Sequence, residues 1–219
     1  MVGRVEDLFA PFAERYDRSL GEMGESSRID PVVDVLAALA GDGRVLEFAI
    51  GTGRIALPLA ARGVPVAGID LSEPMVAELR KKPGGDEIPV TIGSMTSTRV
   101  EGSFRVVFLV FNTIGNLVSQ DLQVECFGNA AAHLEPGGCF VIELYVPELR
   151  RLPADERFHA FAVTATHVGV EEYDVATQIA YSHHWWAVDG RLEHFSAPFR
   201  YVWPAELDLM AQIAGLGLR

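Results

Sequence analysis

Cysteine, clustered basic residues and long apolar runs are all scarce in this chain, and each shortage removes a class of answer. The 219 residues hold two cysteines, Cys126 and Cys139. Both lie in apolar segments at a spacing that fits neither a metal site nor a disulfide framework, so buried thiols and no metal centre are expected. Lysine and arginine number 18 against 30 aspartates and glutamates, a formal charge of -12. Binding to nucleic acid or an anionic membrane needs clustered basic side chains that displace counterions, so neither partner is expected and a small molecule is favoured. No apolar run reaches the length of a membrane span. The start, Met1-Val2-Gly3-Arg4-Val5-Glu6-Asp7, lacks a cationic stretch followed by an apolar core. A cytoplasmic protein is the expectation. Repeats and low-complexity linkers are missing too, which makes one domain over residues 1–219 the default organisation.

What the chain does have is a strand, a glycine turn, a helix, a second strand and an acid. Val45-Leu46-Glu47-Phe48-Ala49-Ile50 runs into Gly51-Thr52-Gly53-Arg54, and Asp70 closes the next apolar run. Glycines between a strand and a helix let a ligand approach the backbone, because neither carries a Cβ. An acid at the tip of the following strand can accept both hydroxyls of a ribose. Together these features predict an adenosine-containing cofactor. Gly51-x-Gly53-x-x-Ala56 satisfies the dinucleotide pattern with alanine in its third position. Glu47 points elsewhere. A carboxylate at that place repels a pyrophosphate held at a helix N-terminus and suits a ligand with an amino-bearing head.

Residues 46–54 resemble the first motif of the class I S-adenosylmethionine-dependent methyltransferases. Val66-Ala67-Gly68-Ile69-Asp70-Leu71-Ser72-Glu73-Pro74-Met75 is similar to that family's second motif, Gly93-Ser94-Met95 to its adenine-contacting turn, and Leu134-Glu135-Pro136-Gly137-Gly138 to the turn before its fifth strand. Two positions depart from the family pattern. Ala49 stands where members usually have glycine, narrowing the loop by one methyl, and Ser94 stands where aspartate is common, replacing a carboxylate acceptor with a hydroxyl. The resemblance implies that Asp70 binds the ribose hydroxyls, that Leu71 and Met75 line the adenosine, and that Ser94 and the N–H of Met95 face adenine. It implies further that the turn from Ala49 through Gly51 to Gly53 lies along the methionine moiety, with Glu47 near its amino group. Phe111 and Asn112 are expected near the transferred methyl. The implied function is methyl transfer from S-adenosylmethionine to an N or O nucleophile of a small molecule, leaving S-adenosylhomocysteine. An NAD-dependent oxidoreductase and a non-catalytic cofactor-binding protein are the open alternatives.

Strand and helix signals alternate through the first two thirds of the chain. Asp30-Pro31 reads as an N-cap and first-turn pair, with Val32, Val35, Leu36 and Leu39 at helical spacing up to Gly41. Strands are expected at 45–50, 64–70, 90–92, 106–111 and 139–145, with helices at 54–62, after Ser72, and at 120–133. Apolar strands alternating with helices predict an α/β fold with a Rossmann-like, doubly wound, mostly parallel sheet. After Pro147 the pattern changes. Segments 159–170, 177–188 and 191–202 are rich in Thr, Val, Tyr, Trp and His, and Asp189-Gly190 is a hairpin signal, so an antiparallel insertion over the crevice is expected. The expected parts are an N-terminal helical cap at 1–40, a cofactor-binding core at 41–146, the insertion at 147–203 and a final helix at 204–219. The two antiparallel strands usual after that helix are missing, so either the chain is truncated or the insertion occupies that sheet edge. An uncovered edge motivates an expectation of a homodimer.

Aligning a nucleophile, a methyl carbon and a leaving sulfur needs no catalytic triad, so catalytic residues are weakly marked. Phe9, Phe12 and Tyr16 recur at helical spacing and could close an aromatic face over the crevice, and the resemblance to small-molecule methyltransferases implies Tyr16 as a candidate at the methionine end. His183 and His184 must point to opposite faces of a regular strand, so at most one faces the pocket. An imidazole there could take a proton from the nucleophile. His184 and Tyr145 are the catalytic candidates. Structural roles compete with each assignment: Glu47 as a cap for loop N–H groups, Asp70 and Ser94 as turn residues, Asn112 as a strand exit. Asn112-Thr113-Ile114-Gly115 lacks the Asn/Asp-Pro-Pro-aromatic pattern with which nucleic-acid amino methyltransferases grip a flipped base.

Overall fold

The computed structural model describes residues 7–153, 155–188 and 190–218. Residues 1–6, Ala154, Asp189 of the hairpin signal, and Arg219 lie outside the described residues. The chain opens with a 3-10 turn, Ala10–Arg15, and a one-turn helix α1, Tyr16–Ser19. Helix α2, Ser26–Ala40, then leads to strand β1, Val45–Phe48. The expected start at Asp30 is corrected: Pro31 lies inside α2, in its second turn. There it forfeits one amide bond, and the carbonyl so released belongs to exposed Ser27 and can face water, which keeps the cost low.

Alternation continues through α3, Ala56–Ala61; β2, Val66–Asp70; α4, Glu73–Arg80; β3, Val90–Ile92; β4, Phe104–Leu109; α5, Gln120–Ala131; and β5, Leu134–Ile142. The Ser72 hydroxyl caps α4 by accepting the Met75 N–H, and Ser119 caps α5 through Leu122. The five strands pair in parallel in the order β3-β2-β1-β4-β5. Every residue of β1 and β2 is buried, as a sheet covered on both faces requires. One core layer joins Leu46, Phe48, Leu109, Phe127 and Met210, and the other joins Val45, Ile50, Leu59, Leu79 and Phe108. Strand order reverses between β1 and β4, and the crevice past their C-terminal ends is where open sheets of this kind hold ligands.

Residues 135–138 do not precede β5 as a turn. Leu134 already pairs with Phe104, and pairing resumes at Val106 with Cys139, so the segment bulges out of a longer strand. A Cβ on Gly138 would sit 2.9–3.0 Å from three carbonyl oxygens, and Gly137 has φ +82, so both glycines permit the bulge.

The last third forms a separate four-stranded antiparallel sheet ordered β6-β7-β8-β9: Phe158–Val163, His167–Asp174, Ile179–Val188 and Arg191–Arg200. It does not extend the free edge of β5, which corrects the expectation that it could occupy that edge. Nor is 159–170 one strand. It breaks at residues 164–166, where the Thr164 hydroxyl accepts the His167 N–H at 2.9 Å and stands in for the glycine or asparagine that usually marks a hairpin. Helix α6, Pro204–Ile213, packs back on α5.

Two connections fasten this sheet to the core. Arg200, at the end of β9, is 3% exposed and reaches Glu206 of α6 and Gln123 of α5, each at 2.6 Å. Gln123 in turn donates to the carbonyl of Ile114, in the loop after β4. Cys126 and Cys139 form no disulfide. Among the described residues, no helix is long and apolar enough to cross a membrane.

Candidate active site

The glycine turn leaves β1 through three residues with left-handed backbone, Ala49 (φ 54), Gly51 (φ 54) and Gly53 (φ 80). Gly51 is favoured by its φ rather than by crowding, since a Cβ there would meet Met75 Cε at 3.4 Å, the Ala49 carbonyl oxygen at 3.9 Å and the Asp70 carboxylate at 4.0 Å. Gly53 plays a different part. A Cβ there would run into Leu79 and Leu57, and Gly53 is not on the wall of the cavity described below. Its bare Cα lets α4 pack against the turn.

Asp70 crosses from the tip of β2 to hold this turn. Its Oδ2 accepts the Gly51 N–H at 2.6 Å and its Oδ1 the Ser72 N–H at 2.7 Å. Burial pushes the carboxyl pKa upward, and the two N–H groups pull against that shift. Each oxygen keeps a lone pair for a ligand hydroxyl. A second clamp comes from the N-terminal segment: the Thr52 hydroxyl donates to Asp17 at 2.6 Å, and Lys82 pairs with Asp17 while donating to the Thr52 carbonyl at 2.7 Å.

Glu47 is 4% exposed, and its Oε2 has no hydrogen-bond partner among the described residues. Burial raises its pKa well above the usual carboxylate value, although the Arg54 guanidinium opposes the shift. An orphaned buried carboxyl oxygen facing a cavity is the feature that an amino group or N–H of a ligand would satisfy. Arg54 itself lies over the Phe111 ring at 4.3 Å.

At the end of β4 two successive non-glycine residues, Phe111 (φ 60) and Asn112 (φ 57), take left-handed conformations. Such backbone persists only where neighbours enforce it. Here the Glu143 carboxylate accepts the Phe111 N–H at 2.8 Å, the Glu143 carbonyl accepts the Asn112 N–H at 3.1 Å, and Asn112 Oδ1 accepts the Tyr145 N–H at 3.1 Å. On the other flank the Ser94 hydroxyl bonds within its own turn, to the Thr96 hydroxyl at 3.0 Å and the Thr96 N–H at 3.2 Å. Met95 is anchored by Asn129, whose amide donates to its carbonyl at 2.8 Å.

These residues line one cavity of about 1040 Å³. Tyr16, Glu47, Ala49, Gly51, Asp70, Leu71, Met75, Ser94, Met95, Phe111, Asn112, Tyr145 and His184 all reach it. The opposite wall is built by the N-terminal segment and the antiparallel sheet. Phe12 packs on Phe195 at 4.6 Å, Phe9 meets Tyr16 at 6.1 Å, and Arg15 pairs with Glu193 at 2.8 Å. Burial raises the Tyr16 pKa.

His183 and His184 do part company as alternation requires. His184 faces the cavity between His167 and Ser182, each at 3.0 Å, with its ring stacked on Trp186. Burial, the nearby His167 and then His183 bring its pKa down to about 4, so it is neutral at physiological pH. His183 faces away, bonded to Ser196 at 2.9 Å and 3.5 Å from Glu172. Sequence reasoning missed His167, Glu171, Tyr173, Trp186 and Phe195 on the cavity wall. The alternation His167, Gly169, Glu171, Tyr173 was there to be read, but only once the hairpin at 164–166 is recognised.

A doubly wound parallel sheet with a glycine turn, an acid after its second strand and a roofed crevice defines a nucleoside-cofactor domain. Residues 45–138 match the family model described as a methyltransferase domain. The methyltransferase CcbJ from Streptomyces caelestis is 35% identical, with a TM-score of 0.80 over 95% of this chain and 85% of that one. DesVI from Streptomyces venezuelae is 22% identical, with a TM-score of 0.72 over 98% and 92%, and shares the fold. The dTDP-3-amino-3,4,6-trideoxy-alpha-D-glucopyranose N,N-dimethyltransferase of Streptomyces venezuelae is 30% identical over 99 residues, 45% of this chain and 41% of that protein. The chain belongs to the class I S-adenosylmethionine-dependent methyltransferases. It spans about half the length of the curated relatives it matches.

Proposed function

We propose that this protein transfers the methyl group of S-adenosylmethionine to a nitrogen or oxygen of a small molecule. The observation that carries the reading is the continuity of the cavity. The crevice holding Asp70, Gly51 and the orphaned Glu47 oxygen opens directly onto the aromatic wall of the antiparallel sheet. A volume of about 1040 Å³ is at the upper end of the ordinary range for small-molecule sites, which supports two ligands side by side.

In this reading Asp70 receives the ribose hydroxyls, Leu71 and Met75 line the adenosine, and Ser94 with the Met95 N–H faces adenine. Ala49 and Gly51 border the methionine moiety, Glu47 accepts from its amino group, and Tyr16 covers that end. The bound cofactor supplies an electrophilic methyl on a sulfonium sulfur. The chain's own contribution is positioning, which can be worth about 7–11 kcal/mol when the reacting atoms are held in line. Phe111 and Asn112, fixed in rare backbone geometry at the crevice edge, shape the passage to the acceptor. The roof of Phe9, Phe12 and Phe195 keeps water out. His184, neutral at physiological pH, and Tyr145 are the groups we assign to a released proton.

We take residues 1–219 as one unit: cap at 1–40, core at 41–146, roofing sheet at 147–203 and final helix at 204–219. The acidic charge favours a small-molecule acceptor over nucleic acid or a membrane surface, in the cytoplasm. The relative that methylates a dTDP-linked amino sugar supports an acceptor of that general size.

Calorimetric titration is the test. S-adenosylmethionine and S-adenosylhomocysteine should bind and NAD(H) should not, and labelled methyl should pass into a small-molecule fraction. Tight NAD(H) binding with no affinity for the sulfonium cofactor would overturn the reading.

A further inference from the structure

Several polar groups on the antiparallel wall have no task in the reading above. The inward residues of β7 are His167, Gly169, Glu171 and Tyr173, and their partners on β8 are Trp186, His184, Ser182 and Ala180. Glu171 therefore stands directly across from Ser182, on a cavity wall that also carries the aromatic rings of Phe161, Trp186 and Phe195. Among the described residues Glu171 is hydrogen-bonded to the Tyr173 hydroxyl and has no ion-pair partner.

Glu47, whose Oε2 is unpaired among the described residues, lies at the cofactor end of the cavity, and two other cavity carboxylates are already engaged. Asp70 holds two amides, and Glu193 is paired with Arg15 at 2.8 Å. Nor does His184 supply a positive charge beside Glu171. Its pKa near 4 keeps it neutral, and it spends both ring nitrogens on Ser182 and His167. Tyr145, whose N–H is held by Asn112 Oδ1 at 3.1 Å at the edge of the crevice where β4 ends, lines the same cavity as Glu171 and Tyr173.

A carboxylate on a largely apolar wall, braced by a tyrosine and lacking a counter-ion, is best satisfied by a ligand cation. We propose that Glu171 is the acceptor-binding carboxylate, and that it selects a small-molecule amine with an apolar ring face, held as its ammonium. The proposal rests on the methyltransferase reading and narrows its nucleophile to nitrogen. An ammonium has no free lone pair. The reactive form is the neutral amine, reached by loss of one proton to solvent; its attack on the sulfonium methyl leaves a methylated ammonium facing the Glu171 carboxylate and a neutral thioether, so charge balances. An alcohol acceptor gains no charge pairing at this position.

The test uses 4-aminocyclohexanol and cyclohexane-1,4-diol as probes, which share a ring and differ in one amino group. Binding is followed by calorimetry and saturation-transfer NMR, with the full chain free and with S-adenosylhomocysteine present. The amine should bind at least about tenfold more tightly than the diol, since a charge-assisted contact is worth about 1.5 kcal/mol or more. Glu171→Gln should abolish that preference, and Glu171→Asp, which keeps the charge, should restore part of it. Affinity for S-adenosylhomocysteine should change less than twofold in both variants. Equal binding of amine and diol by the wild type, no measurable amine binding, or a preference retained in Glu171→Gln overturns the proposal. A wild type that ignores S-adenosylhomocysteine yet shows the Glu171-dependent amine preference sinks the methyltransferase reading alone.

Discussion

The carboxylate of Asp70 accepts the amide N–H of Gly51 at 2.6 Å, tying the tip of β2 to the turn that leaves β1. One residue thus shapes the turn and borders the crevice. Asp70→Ala should cost in two ways. Losing two charge-assisted bonds to ribose hydroxyls should weaken S-adenosylhomocysteine binding by about 3 kcal/mol, or more than a hundredfold. Orphaning the Gly51 and Ser72 amides should lower stability by about 2 kcal/mol in urea unfolding. Unchanged affinity with lowered stability would reduce Asp70 to a turn acid.

The buried carboxyl of Glu47 makes stability depend on pH with a definite sign. Its pKa in the fold is raised above the unfolded value of 4.5, so its favourable contribution is complete below that pH and is lost as pH rises through the raised value. Glu47→Gln removes the titration. The ligand-free variant should match the wild type near pH 4.5 and gain on it steadily toward pH 8 in paired urea titrations, while binding S-adenosylmethionine more weakly. A stability difference that stays flat across that range would show that Glu47 is not buried in ionisable form.

Ala49 carries a side chain through a left-handed conformation (φ 54). That conformation costs a non-glycine residue about 1 kcal/mol, while glycine adds a comparable unfolded-state entropy. Ala49→Gly should therefore leave the urea midpoint unchanged or slightly higher. Ala60→Gly, within α3, should lower stability by about 1 kcal/mol. Equal losses in the two variants would mean that Ala49 bears no strain.

Arg200 is the buried fastener between the antiparallel sheet and helices α5 and α6. Arg200→Ala should destabilise by about 3 kcal/mol, because it removes the donor to the buried Gln123 Oε1 and the charge partner of Glu206, which keeps only its bonds from Gln120 and Gln178. Arg62→Ala, which breaks surface pairs with Asp30 and Asp34, should cost less than about 1 kcal/mol. Similar effects from the two would place Arg200 outside the cooperative core.

The doubly wound sheet was legible because each of its signals is local. Buried parallel strands such as residues 45–48 are apolar except at a site residue, here Glu47, and the caps at Ser72 and Ser119 act within one helical turn. The cofactor side of the site was legible for the same reason: Glu47, Gly51 and Asp70 sit at fixed offsets from strand ends. Errors arose where a local signal was weak or ambiguous. Pro31 was read as a helix start although one proline in the second turn is tolerated. The break at residues 164–166 was hidden because a threonine hydroxyl replaced the usual turn residues.

By itself, then, the sequence determined the βα alternation, the placing of an acid and a glycine turn at neighbouring strand ends, and the parting of His183 from His184. Only the tertiary structure decided that Gly53 serves packing against Leu79, that the last four strands form their own sheet, and that Glu171 faces the cavity with no counter-ion among the described residues. The division has a physical cause. Strand periodicity, caps and turns depend on neighbours within a few residues, whereas the burial and pairing of a charge depend on which distant segment folds across it.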